Sequence, residues 1–229
     1  FLISMFNIFL FFNLFNKRLI INDHQEDFIL ILLFVFFTLV LLLIAKDLSL
    51  SEGIIGVLSS LSNSGIYNYK IPNNMALYFL ILSIVGGSLI SNTSGIKFIR
   101  IYILLKATSS EILKLVRPNN VINQNIFYTN NKITTDNIKL SFLIFISFFI
   151  SLFILSGVLM FDSINFETSF KLSILTLTNT TTSELYGINN INFSNLLTSS
   201  KISIIIFMII GKIELISIFL IIKKLIIKN

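Results

Sequence analysis

The chain alternates between long apolar runs and short polar strings, and the lengths of the runs predict its elements. Residues 28–45, 140–161 and 202–222 are long enough to cross a membrane as helices, which takes about 20 apolar residues. Residues 77–105 form a fourth run that glycine and hydroxyl residues interrupt, and residues 1–15 form the end of a fifth. The pattern therefore predicts an all-α membrane protein that crosses the bilayer several times.

Two shorter apolar segments, residues 51–61 and 168–177, lie between the full-length runs. Each is too short to cross a bilayer and is typical of a helix that enters the membrane and turns back. Each ends in a polar string, at residues 61–66 and 177–182. The order of span, short helix, polar loop and span thus occurs twice, and internal repeats of this kind are common in transporters.

The polar strings are candidates for cation-coordinating loops. Non-helical backbone at membrane depth is tolerated only where it is buried in protein or lines a water-filled cavity. Ion filters use such backbone, because its carbonyl oxygens replace the hydration shell of the ion. An ordinary turn outside the membrane explains a single string equally well, but the repetition favours a filter. The candidate ion-binding residues are Ser62, Asn63, Ser64 and Gly65 in the first string and Thr178, Asn179, Thr180 and Thr181 in the second.

Composition and charge narrow the class of protein and set its orientation. Hydrophobic residues make up 55% of the chain and charged residues only 12%. Twelve of the 17 Lys and Arg residues fall on the side of the inter-repeat segments, so the positive-inside rule puts these segments and the C-terminus in the cytoplasm. With no Cys and one His, the chain lacks a catalytic or metal-binding constellation. We therefore predict no enzyme activity, no cofactor and no nucleic-acid partner.

Two further expectations concern the N-terminal part of the chain. Phe1 lies inside an apolar run with no basic n-region or cleavage site, so we interpret the chain as a fragment that starts within a membrane helix. His24, with Asp23, Glu26 and Asp27, is predicted to be a solvated face of a cytoplasmic loop rather than a site.

Several motifs resemble one family of membrane proteins. Residues 86–100, GGSLISNTSGIKFIR, look like a glycine-rich stretch of the Trk/Ktr/HKT superfamily of potassium transporters, nearest its TrkH-like branch. Residues 59–66 resemble the third filter of that branch, and residues 211–215, GKIEL, resemble a stretch of its last span. Residues 113–121 are similar to one of its cytoplasmic segments. The likeness covers nearly the whole chain, in order.

The resemblance implies a potassium-channel-like fold, in which one chain carries four repeats of transmembrane helix, pore helix, filter loop and transmembrane helix. This chain corresponds to the C-terminal half. The implied divisions are residues 1–16 (end of a preceding helix), 17–106 (third repeat), 107–139 (cytoplasmic linker) and 140–229 (fourth repeat). The second polar string departs from the family pattern, because no glycine follows Asn179 until Gly187. We therefore expect the fourth filter to be degenerate or shifted.

The resemblance also implies a gate inside the interrupted span. Residues 86–95 look like the unwound middle of a pore-lining helix that lies below the filter, and a small-residue helix-packing face is the alternative. Lys212 matches an arginine that faces the pore as an electrostatic barrier, although Lys212 and Glu214 can instead brace helices. The candidate gate residues are Gly86, Gly87, Ser88, Ser91, Asn92, Thr93, Ser94, Gly95 and Lys212.

The leading hypothesis is uptake of potassium, or sodium, across the inner cell membrane by a channel or symport mechanism, with potassium as the substrate. The implied partners are the lipid bilayer, a cytoplasmic nucleotide-binding regulatory subunit (TrkA-like) and a second copy of the full-length parent in a homodimer. Residues 97–139 are predicted to help dock that subunit, and a plain linker is the alternative. The competing functions are a non-conducting half-protein with a structural role and a secondary transporter for small organic solutes.

Overall fold

The computed structural model describes residues 1–15, 24–45, 48–67, 75–116, 125–127, 132–162, 164–188 and 193–212. The regular secondary structure of these residues is helical throughout, which confirms the all-α prediction. The helices are α1 (Leu2–Met5), α2 (Ile8–Phe15), α3 (Gln25–Ile44), α4 (Leu50–Leu61), α5 (Ala76–Ile84), α6 (Phe98–Val116), α7 (Thr135–Met160), α8 (Phe166–Leu177) and α9 (Thr198–Lys212). Two single-turn 3₁₀ helices, Glu184–Tyr186 and Phe193–Asn195, lie between α8 and α9.

The long and short apolar runs form the helices that their lengths predict. Among the described helices, α3 with 20 residues and α7 with 26 are long and apolar enough to cross a membrane. The short helices α4 and α8 have 12 residues each, and both end where the polar strings begin. The third long run is helical as α9 up to Lys212, and its remaining residues, with Glu214, lie outside the described part of the chain.

The helices pack as two similar units. In the first, α3 packs on α4 and α4 on α5; in the second, α7 and α9 both pack on α8. Contacts between α5 and α8 and between α6 and α7 join the units. The core between them includes Phe79, Leu152 and Tyr186, all fully buried. Tyr186 belongs to the 3₁₀ turn Glu184–Tyr186, which packs against α5, so the loop after α8 covers part of the first unit.

The N-terminal run is not the end of one helix, as the sequence suggested, but two helices with a break at Phe6 and Asn7. Asn7 begins α2 as its cap, because its side-chain oxygen accepts a hydrogen bond from the Phe9 N–H at 3.0 Å. A capping side chain satisfies one of the N–H groups that a helix start leaves without a partner. This local bond competes with continuation of α1 into α2.

His24 and Asp27 are buried, which contradicts the prediction of a solvated face, and Asp23 lies outside the described residues. His24 and Asp27 are each only 2% exposed. The Nδ1 atom of His24 lies 3.4 Å from Asp27 Oδ2, and its Nε2 atom lies 3.0 Å from Asn13 Nδ2. Asp27 Oδ1 also accepts the backbone N–H of Asn7 at 3.0 Å. The break between α1 and α2 and the first turn of α3 therefore share one buried polar cluster.

The predicted linker, residues 107–139, is helical at both ends. Helix α6 continues through residue 107 to Val116, and α7 begins at Thr135. Between them, Phe127 stacks on Tyr102 of α6 with ring centroids 4.3 Å apart, and Lys106 donates a hydrogen bond to the Asn125 carbonyl. Part of the segment thus packs on α6. Arg117 and residues 118–124 lie outside the described residues.

Removing the carboxylate of the buried cluster is predicted to destabilise the fold. In Asp27→Ala, both the Asn7 N–H and His24 lose their acceptor in a buried site, which we expect to cost about 1–3 kcal/mol in the free energy of unfolding. The measurement is the thermal melting of the purified protein in detergent. Glu111→Ala is the matched control, because that carboxylate is 68% exposed beside Lys114. Equal melting temperatures for the two variants would contradict the role of the cluster.

Candidate functional site

The first polar string forms a tight turn at the C-terminal end of α4. The helix begins with a capping box in which Ser49 and Glu52 bond each other's backbone N–H groups. It ends with the Asn63 N–H bonded to the Ser60 carbonyl at 3.1 Å and the Ser64 N–H bonded to the Ser59 carbonyl at 3.1 Å. Asn63 has a left-handed φ of 57°. This pair of bonds is a Schellman motif with asparagine in the position usually taken by glycine. We call residues 62–66 the first asparagine turn.

The second polar string repeats this geometry at the end of α8. The Asn179 N–H bonds the Thr176 carbonyl at 3.1 Å, and the Thr180 N–H bonds the Leu175 carbonyl at 2.9 Å. Asn179 has a φ of 52°, so it also occupies the left-handed region. The same motif therefore closes both short helices, although the second string lacks the expected glycine. We call residues 178–182 the second asparagine turn.

Four hydroxyl groups of the two turns, those of Ser62, Ser64, Thr178 and Thr180, bond within their own turn or to the helix that it closes. Ser62 Oγ and Ser64 Oγ each donate to the Ser59 carbonyl at 3.2 Å. Thr178 Oγ1 donates to the Ile174 carbonyl at 2.9 Å and lies 2.7 Å from Thr180 Oγ1. These side chains brace the turns. Backbone carbonyls are therefore the better candidates for contact with an ion.

The two turns touch each other directly. Thr181 Oγ1 donates a hydrogen bond to the Ser64 carbonyl at 2.5 Å. Gly65 lies against the same residue with a φ of 69°, and a Cβ added there would collide with the Thr181 carbonyl and stand 2.6 Å from its Oγ1. Glycine is thus required at this position by both conformation and space.

The interruption predicted in the fourth run is present as a non-helical loop, residues 85–97, which we call the inserted loop. Its two ends pair with each other: the Gly86 N–H bonds the Ile96 carbonyl at 2.8 Å, and the Ile96 N–H bonds the Ile84 carbonyl at 3.0 Å. The Phe98 N–H bonds the Gly87 carbonyl at 3.1 Å. The chain therefore leaves α5 and returns to almost the same place before α6 starts.

The inserted loop is bonded to the N-terminal helices. The N–H groups of Ser88 and Asn92 donate to the carbonyls of Met5 and Ser4 at 3.0 and 3.1 Å. The Leu89 N–H donates to Glu26 Oε1 at 3.0 Å, which ties the loop to the first turn of α3. A Cβ on Gly87 would collide with the Met5 carbonyl, so the loop backbone passes too close to α1 for any side chain there.

Two lysines bind consecutive carbonyls of the inserted loop. Lys97 Nζ lies 2.9 Å from the Ser91 carbonyl and 2.8 Å from the Thr93 carbonyl. Lys212, at the end of α9, donates to the Asn92 carbonyl at 2.6 Å and to Asn92 Oδ1 at 2.9 Å. Lys212 therefore contacts the loop, and its role in a gate stays a prediction. The contacts of Lys97 were not predicted, because a lysine just before a helix is counted as one of the basic residues that set the orientation in the membrane.

Both asparagine turns meet the inserted loop at one residue, Ser94. Asn63 Nδ2 donates to the Ser94 carbonyl at 3.0 Å, and Asn179 Nδ2 lies 3.2 Å from Ser94 Oγ. The C-terminal ends of α4 and α8 thus converge on the same point, and such ends carry a partial negative charge that favours a cation. Sequence reasoning gave no signal for this convergence. Among the described residues, no cluster of His, Cys, Asp or Glu is arranged to hold a metal ion.

The fold that these elements define is an all-α arrangement of two joined units, each with a short helix closed by an asparagine turn. It matches the solved structure of the potassium transporter TrkH from Vibrio parahaemolyticus with a TM-score of 0.73 and 21% sequence identity over 96% of this chain. The match covers 49% of that protein, so the chain spans about half its length. At this identity the likeness establishes the fold alone, and that fold is the one that the resemblance implies. No family model matches the sequence, and no curated protein matches it.

The asparagine turns predict a graded response to substitution at Asn63. Asn63→Gly keeps the left-handed conformation and loses only the bond to Ser94, whereas Asn63→Ala loses the bond and adds the cost of a left-handed residue with a Cβ, about 1–2 kcal/mol. We therefore expect the alanine variant to melt at a lower temperature than the glycine variant in detergent. The reverse order would contradict the turn geometry, and the pair Asn179→Gly and Asn179→Ala provides an independent repeat.

Proposed function

We propose that this chain forms part of a membrane pore that conducts potassium, with the two asparagine turns as part of its filter and the inserted loop as its gate. The observation that carries the proposal is the convergence of both turns on Ser94 of the inserted loop. A filter and a gate must lie in series along one path. The name of the matched structure, a potassium transporter, supports the choice of ion.

The surface of the long helices supports a place in the bilayer. Leu32 and Leu43 of α3 are 70% and 78% exposed, and Phe153 of α7 is 57% exposed. A helix at a protein–water boundary keeps a polar outer face, and these helices do not. We propose an integral inner-membrane protein that crosses the bilayer several times with its C-terminus in the cytoplasm, as the basic residues indicate.

The chemistry of the turns suits a monovalent cation. The carbonyl dipoles at a helix C-terminus attract positive charge, and filters built from carbonyls dehydrate the ion by replacing its water ligands. The hydroxyls brace the turns, so the carbonyl positions are held in place. A carbonyl filter surrounds the ion as a ring, and two turns provide only part of that ring. Since the chain spans about half of the matched transporter, we propose that two further repeats complete the pore in the full-length protein.

The gate proposal depends on how the inserted loop is held. The loop is hydrogen-bonded to α1 and α3, and the Lys212 ammonium from α9 donates to the carbonyl of Asn92. A cation fixed at this point opposes the passage of another cation by Coulomb repulsion, which is strong where little water is present. Movement of α9 would remove Lys212 from the loop and lower that barrier.

The partner proposals concern the cytoplasmic end of the chain. A TrkA-like nucleotide-binding subunit would need a surface beyond the membrane, and α6 extends to Val116 with Lys106 and Lys114 on it. Lys114 is paired with Glu111 at 2.5 Å, which reduces its charge available for docking. We propose that such a subunit docks on this surface and that the full-length protein forms a homodimer. The test compares how much of the subunit co-purifies with the unmodified protein and with the Lys114→Ala variant. Less subunit with the variant supports docking at Lys114, and equal amounts contradict it.

A second candidate is a non-conducting half-protein with a structural role, which the presence of only two asparagine turns among the described residues favours. The two candidates differ in flux. The full-length protein, with whatever sequence flanks these 229 residues, is reconstituted in liposomes, and potassium uptake is compared with that of empty liposomes. Uptake above the background supports the pore, and background flux alone supports the structural role.

The contact between the turns predicts a selectivity defect in Gly65→Ala. The added methyl group collides with the Thr181 backbone and forces the first asparagine turn away from the second. We expect the preference for potassium over sodium to fall by about tenfold or more, the ratio that ~1.4 kcal/mol produces. Flux of both ions into liposomes measures it.

Gly157→Ala on α7 is the matched control, because an added Cβ at Gly157 meets nothing within 4 Å. This variant should keep the selectivity of the unmodified protein. Unchanged selectivity in Gly65→Ala with normal expression would contradict the assignment of the first asparagine turn to the filter.

The Lys212 contact predicts a leaky variant. Lys212→Met removes the charge from the Asn92 carbonyl but keeps an unbranched side chain, and we expect the resting potassium flux to rise about tenfold, as for a barrier lowered by ~1.4 kcal/mol. Lys201→Met on the same helix is the control, since Lys201 binds the Ser194 carbonyl outside the inserted loop. An equal resting potassium flux in the two variants would contradict a role of Lys212 in the gate.

A further inference from the structure

Lys97 is a buried ammonium enclosed by oxygen atoms of the inserted loop. The residue is 9% exposed. Its Nζ atom lies 2.9 Å from the Ser91 carbonyl, 3.1 Å from Ser91 Oγ and 2.8 Å from the Thr93 carbonyl. A lysine ammonium has three N–H donors, and three acceptors of one short turn lie within 3.1 Å of it. Burying such a charge is costly unless it is paired or hydrogen-bonded, and these contacts meet that condition.

This arrangement has the chemistry of a small cation site. Carbonyl and hydroxyl oxygens are the ligands that bind potassium or ammonium in proteins, and here a side chain of the same loop supplies the cation. The hydroxyls of Ser91 and Thr93 lie 2.8 Å apart, and Thr93 Oγ1 accepts the Gly87 N–H at 2.7 Å. The enclosed ammonium is therefore connected to the backbone at the start of the loop.

We propose that the Lys97 ammonium acts as a resident cation of the inserted loop, that is, a permanently bound positive charge supplied by the loop itself. It donates hydrogen bonds to the oxygens of Ser91 and Thr93 and so holds the loop in the conformation described here. It also keeps those carbonyls from binding an ion that passes through the pore. Lys97 is thus a positioning residue, distinct from Lys212, which binds the same turn from another helix. The proposal deepens the gate function proposed above. Its consequence for transport rests on that function, whereas the effect of Lys97 on the shape of the loop is independent of it.

The test measures amide hydrogen exchange across the inserted loop in the full-length protein in detergent. Lys97→Met keeps the aliphatic chain and loses the ammonium. We expect the loop amides, including those of Gly87 and Asn92, to exchange at least about tenfold faster, the loss expected when charge-assisted hydrogen bonds are removed. Lys106→Met is the matched control, because Lys106 also binds a backbone carbonyl from α6, but outside the loop. In the Lys106→Met variant, the amide exchange of the inserted loop should stay unchanged.

A second variant separates charge and hydrogen bonding from packing. Lys97→Ala leaves room for a soluble amine, and propylammonium should restore slow exchange in a concentration-dependent way. Tetramethylammonium, which carries the charge without N–H donors, should not restore it. If Lys97→Met does not yield folded protein, the rescue of Lys97→Ala tests the proposal by itself. Slow exchange restored by propylammonium supports the resident cation, and exchange that stays fast overturns it.

The outcomes distinguish this proposal from the gate function. Unchanged loop exchange in folded Lys97→Met would overturn the resident cation. Faster exchange with an increased resting potassium flux supports both proposals. Faster exchange with an unchanged flux, in a protein that does transport potassium, supports the resident cation and contradicts the gate.

Discussion

The constraint on which the rest of the structure depends is that backbone polar groups in apolar surroundings must be hydrogen-bonded. The inserted loop meets it with partners from several elements. The break at Asn7 is essential here, because the Asn7 side chain takes the Phe9 N–H that a continuous helix would direct to the Met5 carbonyl. The carbonyls of Ser4 and Met5 are then available and accept the loop N–H groups. A cap at one helix start thus permits a non-helical segment, residues 85–97, far later in the chain.

The two asparagine turns show what is common to the two units. Their neighbouring residues differ, since serine and glycine surround Asn63 and threonines surround Asn179, yet both residues have left-handed φ values of 57° and 52°. Asparagine tolerates this conformation better than most residues with a Cβ. Its amide also reaches Ser94, which glycine cannot do. One residue type therefore closes the short helix and connects it to the inserted loop.

Much of the fold could be predicted from the sequence, because the length of an apolar run limits what it can form. The spans α3 and α7, the short helices α4 and α8 and the interruption before α6 all follow from run length and from residues that disfavour helix. The extension of α6 was missed because the resemblance places a linker from residue 107 onward, where Thr108 and Ser109 have low helix propensity. In the structure their hydroxyls bond carbonyls one turn back, at 2.8 Å in each case, and the helix continues.

The site was less predictable, because its contacts join residues far apart in the chain. His24 and Asp27 look like solvent-exposed residues until Asn7 and Asn13 pack against them. Ser94 is one small residue among many, and only the folded chain brings Asn63 and Asn179 to it. Lys97 follows a glycine and an isoleucine with no local sign that its ammonium would turn back into the loop. Sequence patterns report local periodicity, whereas these roles depend on tertiary contacts.

The two lysines hold the inserted loop in different ways. Lys97 is four residues from Thr93, so its bonds close a short loop and stay with the loop wherever it goes. Lys212 is 120 residues from Asn92 and belongs to the other unit, so its bond exists only while α9 remains in place. A shift of α9 would break the second contact and leave the first intact. Under the gate function proposed above, the Lys97 bonds would keep the shape of the loop in both states and the Lys212 bond would be made in only one of them. A partner could then bias the gate by binding one state better.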